Sequence, residues 1–249
     1  ARYYHRIQTA EIQNYKFILV PLILLLIPCY LVLQQPDLGT SILIAGTGVI
    51  IIWLAGLNIK YFVYSTLLLI VSLPFAVSLL KPYQKSRILT FFNPDRDPLG
   101  AGYQIIQSKI AIGSGGFFGK GFLKGTQSYL EFLPEKHTDF IFTLFSEEFG
   151  FIGSIMLLLL YILLIYRIIS IGFYSKSFFS KLFCFGFASA IFLYIFVNIS
   201  MVLGLLPIVG APLPIMSYGG SSMLSIMLGL SIVMSLSLIH ISEPTRQLQ

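Results

Sequence analysis

Charged side chains are scarce in this chain. They make up 10% of its 249 residues, whereas 56% of the residues are hydrophobic and the mean hydropathy is +0.86. Soluble domains typically carry about 25% charged residues, so this composition excludes an ordinary soluble domain. Runs of about 20 apolar residues are typical of helices that cross a membrane.

Cysteine is also rare, and the common signatures of cofactor binding are missing. Cys29 and Cys184 both lie inside apolar runs, which indicates packing residues and not a disulfide. The sequence has no zinc-type spacing of Cys and His and no Walker loop. A glycine-rich segment at 113–119 does not fit the dinucleotide fingerprint, and no strand is predicted before it.

Apolar runs predict an all-α, polytopic membrane helix bundle with six spans, at about 17–35, 38–57, 61–80, 139–168, 181–206 and 217–238. Basic residues at 2–16, at 60 and at 167–181 all fall on one side of the membrane if the spans alternate. The positive-inside rule makes that side cytoplasmic. The excess of basic residues therefore indicates membrane topology and not nucleic-acid binding. We therefore expect the long connection at 81–138 to be extracytoplasmic.

This long connection carries eight Lys and Arg residues. A basic outer surface suits an anionic ligand such as a phosphate headgroup; binding to anionic lipid without chemistry is the alternative. The pattern at 103–112 predicts an amphipathic helix along the membrane interface. Six glycines between 113 and 125 allow tight turns close to a ligand or another segment, unless they only form a compact surface loop.

Titratable side chains concentrate at the end of this connection, where the chain reads EFLPEKHTD and five of nine residues titrate: Glu131, Glu135, Lys136, His137 and Asp139. Asp139 comes just before a long apolar run. Ionisable groups at membrane depth are costly and usually functional. The alternative is that Asp139 is a helix N-cap at the headgroup boundary.

Helical spacing places Asp139, Thr143, Ser146 and Gly150 on one face of the fourth span. This small, polar stripe predicts that Asp139 points into a polar cavity that opens outward. The acidic pair at 147–148 must face protein or water, and one of the two is expected to pair with Lys or Arg.

Two short outer connections are irregular. Either Asp37 or Thr40 is suited to cap the second helix. Residues 205–214 and 217–221 are rich in Pro and Gly, and broken backbone at membrane depth is tolerated where it lines a cavity. A plain loop is the alternative for both connections.

Four strings carry a resemblance to a known family: QPDLGTS at 35–41, DPLGAGYQIIQSKIAIGSGG at 97–116, GKGFLKGTQSYLEFLPEKHTDFIF at 119–142 and PLPIMSYGGSS at 212–222. Over residues 1–237 the chain resembles the shape, elongation, division and sporulation (SEDS) membrane proteins. GTQSYLEFLPE and VGAPLP are more similar to the elongation member than to the division member.

The resemblance implies a bundle of about ten helices in the bacterial inner (cytoplasmic) membrane. It also implies a peptidoglycan glycosyltransferase that polymerises lipid II beside a class B penicillin-binding transpeptidase and the elongation machinery. Four more helices are then expected before residue 1, and the family's functional Glu and Lys of the fourth helix would be among them. Residues 238–249 are expected to be a foreign or disordered tail.

By the same resemblance, Asp139 matches the family's essential aspartate, and Asp37 and the block from Ser217 to Gly220 match other motifs.

In an inverting transfer, a sugar hydroxyl loses its proton as it attacks an anomeric carbon, and lipid pyrophosphate leaves. Asp139 suits the role of general base, because a semi-dry boundary raises the pKa of a carboxylate. Basic side chains or a divalent cation, Mg or Mn, would stabilise the pyrophosphate; no other cofactor is expected. The predicted substrate-binding residues are Asp37, Arg96, Gln104, Lys109, Lys120, Lys124, Glu135, Lys136, His137, Ser217, Tyr218, Gly219 and Gly220.

Two other functions fit the same features. A flippase for a lipid-linked precursor also uses charges and broken helices within the membrane, and a non-catalytic scaffold for a transpeptidase needs only the helices. The charges crowd the outer rim of the spans instead of the membrane midplane, which favours the enzyme.

Overall fold

A computed structural model describes residues 1–4, 15–35, 37–79, 81–93, 97, 100–126, 133 and 137–246. Within these ranges the chain forms helices and no strand. The eight helices are α1 (Tyr15–Gln34), α2 (Leu38–Leu54), α3 (Ile59–Leu79), α4 (Pro82–Phe92), α5 (Ala101–Gly115), α6 (Ile141–Tyr174), α7 (Phe178–Val202) and α8 (Gly220–Arg246).

Each of the six predicted spans coincides with a helix. Among the described residues, α6, α7 and residues 220–237 of α8 are long and apolar enough to cross a membrane, while α1, α2 and α3 contain shorter apolar stretches. Many large apolar side chains of these helices point outward; Leu159, Leu160 and Leu163 are all more than half exposed. Such surface is costly in water and not in lipid, so the chain is a multi-pass helical membrane protein.

The first of two compact units comprises residues 1–59, 161–194 and 219–249. Here α1 packs on α2 through a reciprocal pair: the Cys29 thiol donates to the Ser41 carbonyl at 3.7 Å, and the Ser41 hydroxyl donates to the Cys29 carbonyl at 3.2 Å. Cys29 and Cys184 are both buried and free. The prediction that they are packing residues is confirmed.

The second unit comprises residues 60–160 and 195–218. In it α5 buries Ile105, Ser108 and Ala111. The Ser108 hydroxyl donates to the Val202 carbonyl at 2.7 Å and lies 2.9 Å from the Thr143 hydroxyl. The sequence predicts a helix here whose isoleucines form the apolar face, but Ile110 is 47% exposed. The buried face instead combines one isoleucine, Ile105, with the small residues Ser108 and Ala111, and it packs against α6 and α7.

Helix α6 is broken at Gly150, where the backbone has φ 67° and ψ −162°. A glycine-rich turn at 116–121 supplies the hydrogen bonds that the break removes. The amides of Phe151 and Ile152 donate to the carbonyls of residues 116 and 117 at 2.9 and 3.2 Å, and the carbonyls of residues 147 and 148 accept from the amides of residues 120 and 121 at 3.0 Å. The prediction that the glycines allow close approach to another segment is confirmed, and that segment is α6.

Helix α8 continues through Arg246. The expectation that residues 238–249 are a foreign or disordered tail stays a prediction.

Candidate functional site

Asp139 lies two residues before α6, in a turn whose backbone is held from outside. Three consecutive carbonyls in this turn each accept a hydrogen bond. The carbonyl of His137 accepts from the Tyr218 amide at 2.9 Å, that of Thr138 from the Ser217 hydroxyl at 2.6 Å, and that of Asp139 from Asn198 Nδ2 at 2.8 Å. Together these bonds fix the start of the fourth predicted span.

The donors come from α7 and from the Pro/Gly-rich connection that follows it. Asn198 is fully buried in α7, and its Nδ2 also donates to the Ala211 carbonyl at 2.6 Å. Its Oδ1 has no partner among the described residues, so the two donated bonds set the orientation of the amide. The Ser217 hydroxyl also accepts from the Leu213 amide at 2.7 Å. The connection is thus an ordered support for residues 137–139 and not a plain loop.

The Asp139 side chain is half-buried and packs beside a glycine. Gly210 has φ +73°, and a Cβ placed on it would lie 3.4 Å from Asp139 Oδ2. The positive φ favours glycine, and the missing side chain leaves the carboxylate room. Asp139, His137, Ser217 and Tyr218, all predicted as site residues, therefore meet in one place.

The predicted polar stripe has a different role from the one expected. Thr143 and Ser146 are buried, Thr143 against Ser108 of α5 and Ser146 against the Ser154 hydroxyl at 3.0 Å. The cavity beside Ser146 and Gly150 has a volume of about 300 Å³ and is lined mainly by apolar side chains. Thr143 and Ser146 therefore serve helix packing, and the expectation that Asp139 points into a polar cavity that opens outward stays a prediction.

One acidic residue of α6 is paired, as predicted. Glu147 is fully buried, and its Oε1 accepts from Lys120 Nζ at 2.7 Å and from the Thr126 hydroxyl at 3.1 Å. A buried carboxylate needs such partners, because removing one leaves an uncompensated charge. This pairing ties Lys120 to the fold; whether Lys120 also binds substrate stays a prediction.

The other described basic residues of the connection are more open. Lys109 and Lys124 are exposed, and no ion pair of either is found within the described ranges. Lys109 lies over the turn that ends α7, since a Cβ on Gly204 would come 2.7 Å from its Nζ. Gln104 is half-buried on α5. The described part of the chain holds no group of three His, Cys, Asp or Glu that could bind a metal ion.

Asp37 has a structural role in the first unit. Its side chain accepts from the Thr40 amide at 3.0 Å and from the Thr40 hydroxyl at 2.6 Å, which caps α2. Of the two capping alternatives, Asp37 is therefore the cap. A role of Asp37 in substrate binding stays a prediction.

The block from Ser217 to Gly220 is open on one side. Tyr218 is 81% exposed. Among the described residues, nothing lies within 4 Å of a Cβ placed on Gly220, and one on Gly219 would meet only ordinary contact. Neither glycine has a positive φ, so packing within the described residues does not require glycine at either position. This free space is consistent with a bound molecule approaching the backbone here.

Three predicted site residues, Arg96, Glu135 and Lys136, lie outside the described residues.

Two residues of the site were not predicted from the sequence: Asn198 and Gly210. A lone amide in an apolar run is a usable signal, because buried polar groups in membrane helices need partners. Gly210 has no signal of its own in a connection already rich in Gly and Pro.

Comparison with known proteins identifies relatives over most of the chain. The sequence profile that unites FtsW, RodA and SpoVE, described as cell cycle proteins, matches residues 1–240. The peptidoglycan glycosyltransferase MrdB of Escherichia coli (strain K12) is 50% identical over 218 residues, which are 87% of this chain and 59% of MrdB. The peptidoglycan glycosyltransferase RodA of Treponema pallidum (strain Nichols) is 44% identical over 184 residues, which are 72% of this chain and 42% of that protein.

The fold has a solved counterpart. It is similar to a chain in the structure of a peptidoglycan synthase complex that coordinates polymerization and crosslinking, with a TM-score of 0.71 and 36% sequence identity. The match covers 87% of this chain and 60% of that one. The chain spans about 59% of the length of MrdB. The activity of the whole protein is therefore a proposal.

Proposed function

The chain belongs to the FtsW, RodA and SpoVE family of cell cycle proteins, and from that membership we propose that the whole protein is a peptidoglycan glycosyltransferase. It polymerises lipid II into glycan strands during cell elongation, with Asp139 as general base. The names of MrdB and RodA, which are peptidoglycan glycosyltransferases, support the reaction class. The resemblance to the SEDS family and its elongation member is confirmed.

The geometry of the Asp139 turn supports the proposed role of Asp139 as general base. Three hydrogen bonds hold the backbone of residues 137–139, and Gly210 leaves room beside the carboxylate. A base must be held within a fraction of an ångström of its working position, since a misplacement of about 1 Å can cost about 100-fold in rate. A half-buried carboxylate on a fixed backbone meets this need.

The proposed reaction needs one base and a cationic environment. Asp139 takes the proton of the acceptor sugar hydroxyl as its oxygen forms a bond to the anomeric carbon of the donor. The bond from that carbon to the lipid pyrophosphate breaks on the opposite face, so the configuration inverts. Lys109 and Lys124 are open to receive the negative charge, and a divalent cation such as Mg or Mn would act in the same way.

The substrate also needs a surface for its sugars. The exposed Tyr218 ring and the open backbone at Gly219 and Gly220 suit this role, because aromatic rings and bare backbone present flat surfaces with hydrogen-bonding groups. Tyr218 follows Ser217, so the support of the Asp139 turn continues directly into the proposed binding segment.

The proposed setting is the bacterial inner membrane, next to a class B penicillin-binding transpeptidase. The similarity to a chain in a peptidoglycan synthase complex supports such a partner. Crosslinking of new strands by a neighbouring enzyme then follows polymerisation.

The experiment is polymerisation of purified lipid II by the purified full-length protein in detergent micelles, without any partner. A flippase or a scaffold produces no polymer there, since a micelle has no second leaflet and supplies no other enzyme. We expect long glycan strands on a gel. If lipid II stays unpolymerised while the protein moves a labelled precursor across vesicle membranes, the flippase function replaces this proposal.

A further inference from the structure

An exposed apolar tip projects from the glycine-rich turn of the long connection. Phe117, Phe118, Phe122 and Leu123 are 71%, 84%, 69% and 73% exposed. Four large apolar side chains within seven residues form a surface that is unfavourable in water. Such a surface calls for a partner of its own.

The tip is fixed to the break in α6. Four backbone hydrogen bonds join residues 116–121 to residues 147–152. The Phe117 ring also packs edge-on against Phe151 at 5.9 Å between centroids. The tip therefore lies at the same depth in the membrane as Gly150.

The lengths of the helices place Gly150 at a membrane boundary. At 1.5 Å a residue, the 34 residues of α6 would reach about 51 Å, far more than the roughly 30 Å of a hydrocarbon core. Residues 151–174 alone reach about 36 Å, close to the roughly 38 Å of the 25-residue α7. The part of α6 that crosses the membrane thus begins at the break.

The charges near the tip fit the same depth. Lys120 is paired with Glu147 at 2.7 Å, which lowers the cost of bringing this ammonium group to the boundary. Lys124 is exposed at the end of the tip. Exposed Phe and Leu side chains with a nearby lysine are typical of segments that lie at the membrane interface, where the apolar side chains enter the acyl boundary and lysine reaches the phosphates.

We propose that Phe117, Phe118, Phe122 and Leu123 are inserted into the phospholipid leaflet on the side where α6 begins, with Lys124 among the headgroup phosphates. The long connection is then anchored in the bilayer, and Gly150 marks the hydrocarbon boundary. The first segment of α6, residues 141–149, does not continue along the same axis beyond that boundary, since the Ser146 hydroxyl lies 3.0 Å from the Ser154 hydroxyl across the break.

The test uses a single tryptophan as a depth probe. Trp53 is the only tryptophan of the chain, so Trp53→Phe gives a silent background to which Phe118→Trp is added. The full-length protein, with any tryptophan outside residues 1–249 also replaced by Phe, is reconstituted in phosphatidylcholine and phosphatidylglycerol vesicles. Fluorescence is quenched by lipids brominated at shallow or deep acyl carbons or by aqueous iodide. Leu160→Trp, at a 55% exposed position within residues 151–174, is the deep control.

We expect shallow bromines to quench the Phe118→Trp variant most, deep bromines to quench the Leu160→Trp variant most, and iodide to quench neither strongly. Quenching of the Phe118→Trp variant by iodide alone would place the tip in water and overturn the proposal. Protection from iodide and from both lipids would also overturn it, because protein would then cover the tip. Phe122→Trp repeats the measurement, and circular dichroism of each variant verifies the helical fold.

Discussion

Asn198 joins three parts of the second unit through one side chain. Its amide donates to the carbonyls of Asp139 and Ala211 at 2.8 and 2.6 Å from a fully buried position in α7. Neither Asp nor Ala can replace it: Asp in its ionised form lacks the donors, and Ala lacks every polar atom. We therefore regard Asn198 as a positioning residue for Asp139.

Asn198→Ala is expected to reduce both stability and rate. Each buried carbonyl left without a donor costs about 1–3 kcal/mol, so the melting temperature falls. The Asp139 turn loosens, which lowers kcat by up to about 100-fold with little change in KM. Glycan strand formation at varied lipid II concentrations measures both constants.

The matched control is Ser189→Ala, also in α7, whose hydroxyl donates only to the Phe185 carbonyl of its own helix. It is expected to leave kcat unchanged. A lower melting temperature with a normal kcat in Asn198→Ala would reduce Asn198 to a purely structural role.

At the residue scale, the sequence predicts the titratable residues of the site but not the residues that hold them in place. Asp139 and His137 stand out because titratable groups beside an apolar run are rare. Ser217 and Tyr218 were found through the family resemblance. Asn198 and Gly210 contact the Asp139 turn from more than 50 residues away, and local spacing contains no information about such contacts.

At the element scale, the glycine-rich turn at 116–121 completes the backbone hydrogen bonding of α6 at its break. A helix interrupted at Gly150 loses two internal hydrogen bonds, and the turn at 116–121 replaces them with four backbone bonds. The two segments approach so closely that a Cβ on Gly119 would overlap the backbone of Glu148 and lie 2.7 Å from the Gly150 nitrogen. Close backbone contact of this kind requires glycine.

Gly119→Ala and Gly121→Ala form a matched pair that tests this contact. Both glycines have positive φ, at 79° and 99°, so either substitution costs about 1–2 kcal/mol of backbone strain. A Cβ on Gly121 would meet only the Lys124 side chain at 3.4 Å. Gly119→Ala adds a backbone overlap, which costs a further amount of about 1–3 kcal/mol by analogy with overpacked cores.

Thermal unfolding in detergent should therefore show a lower melting temperature for Gly119→Ala than for Gly121→Ala. Hydrogen exchange at the amides of Phe151 and Ile152 should be faster only in Gly119→Ala. Equal effects of the two substitutions would mean that the turn does not support the break.

The helices could be predicted from the sequence more readily than the contacts between them. Apolar runs are long and unambiguous, so all six predicted spans coincide with helices. The break at Gly150 was missed, because a single glycine in an apolar run is usually tolerated without a kink. The polar stripe was predicted as one face of small residues, but its role in helix packing was not predicted, since spacing shows which residues share a face but not what that face meets.

At the scale of the whole molecule, the positive-inside rule predicts that the long connection and the loops rich in Lys and Arg lie on opposite sides of the membrane. Lys85 lies in α4 within residues 81–138, and Lys176 lies in the short turn between α6 and α7. Both are exposed, and Cys29 and Cys184 are buried, so a new cysteine at either position is the main reactive thiol within residues 1–249.

A membrane-impermeant thiol reagent should label Lys85→Cys in intact spheroplasts of cells that express the full-length protein. Lys176→Cys should be labelled only after lysis, because the positive-inside rule places it in the cytoplasm. The reverse pattern would contradict the topology and, with it, the extracytoplasmic location of Asp139.

The central claim is that Asp139 is the base in glycan polymerisation, and Asp139→Asn in the full-length protein tests it most directly. Asn caps helices about as well as Asp but accepts no proton, so a mere cap predicts little change. We expect strand formation from purified lipid II to fall by at least about 100-fold at an unchanged melting temperature. Glu148→Gln, the same charge change within α6, should retain activity. Near-normal strands from a stable Asp139→Asn protein would contradict the account.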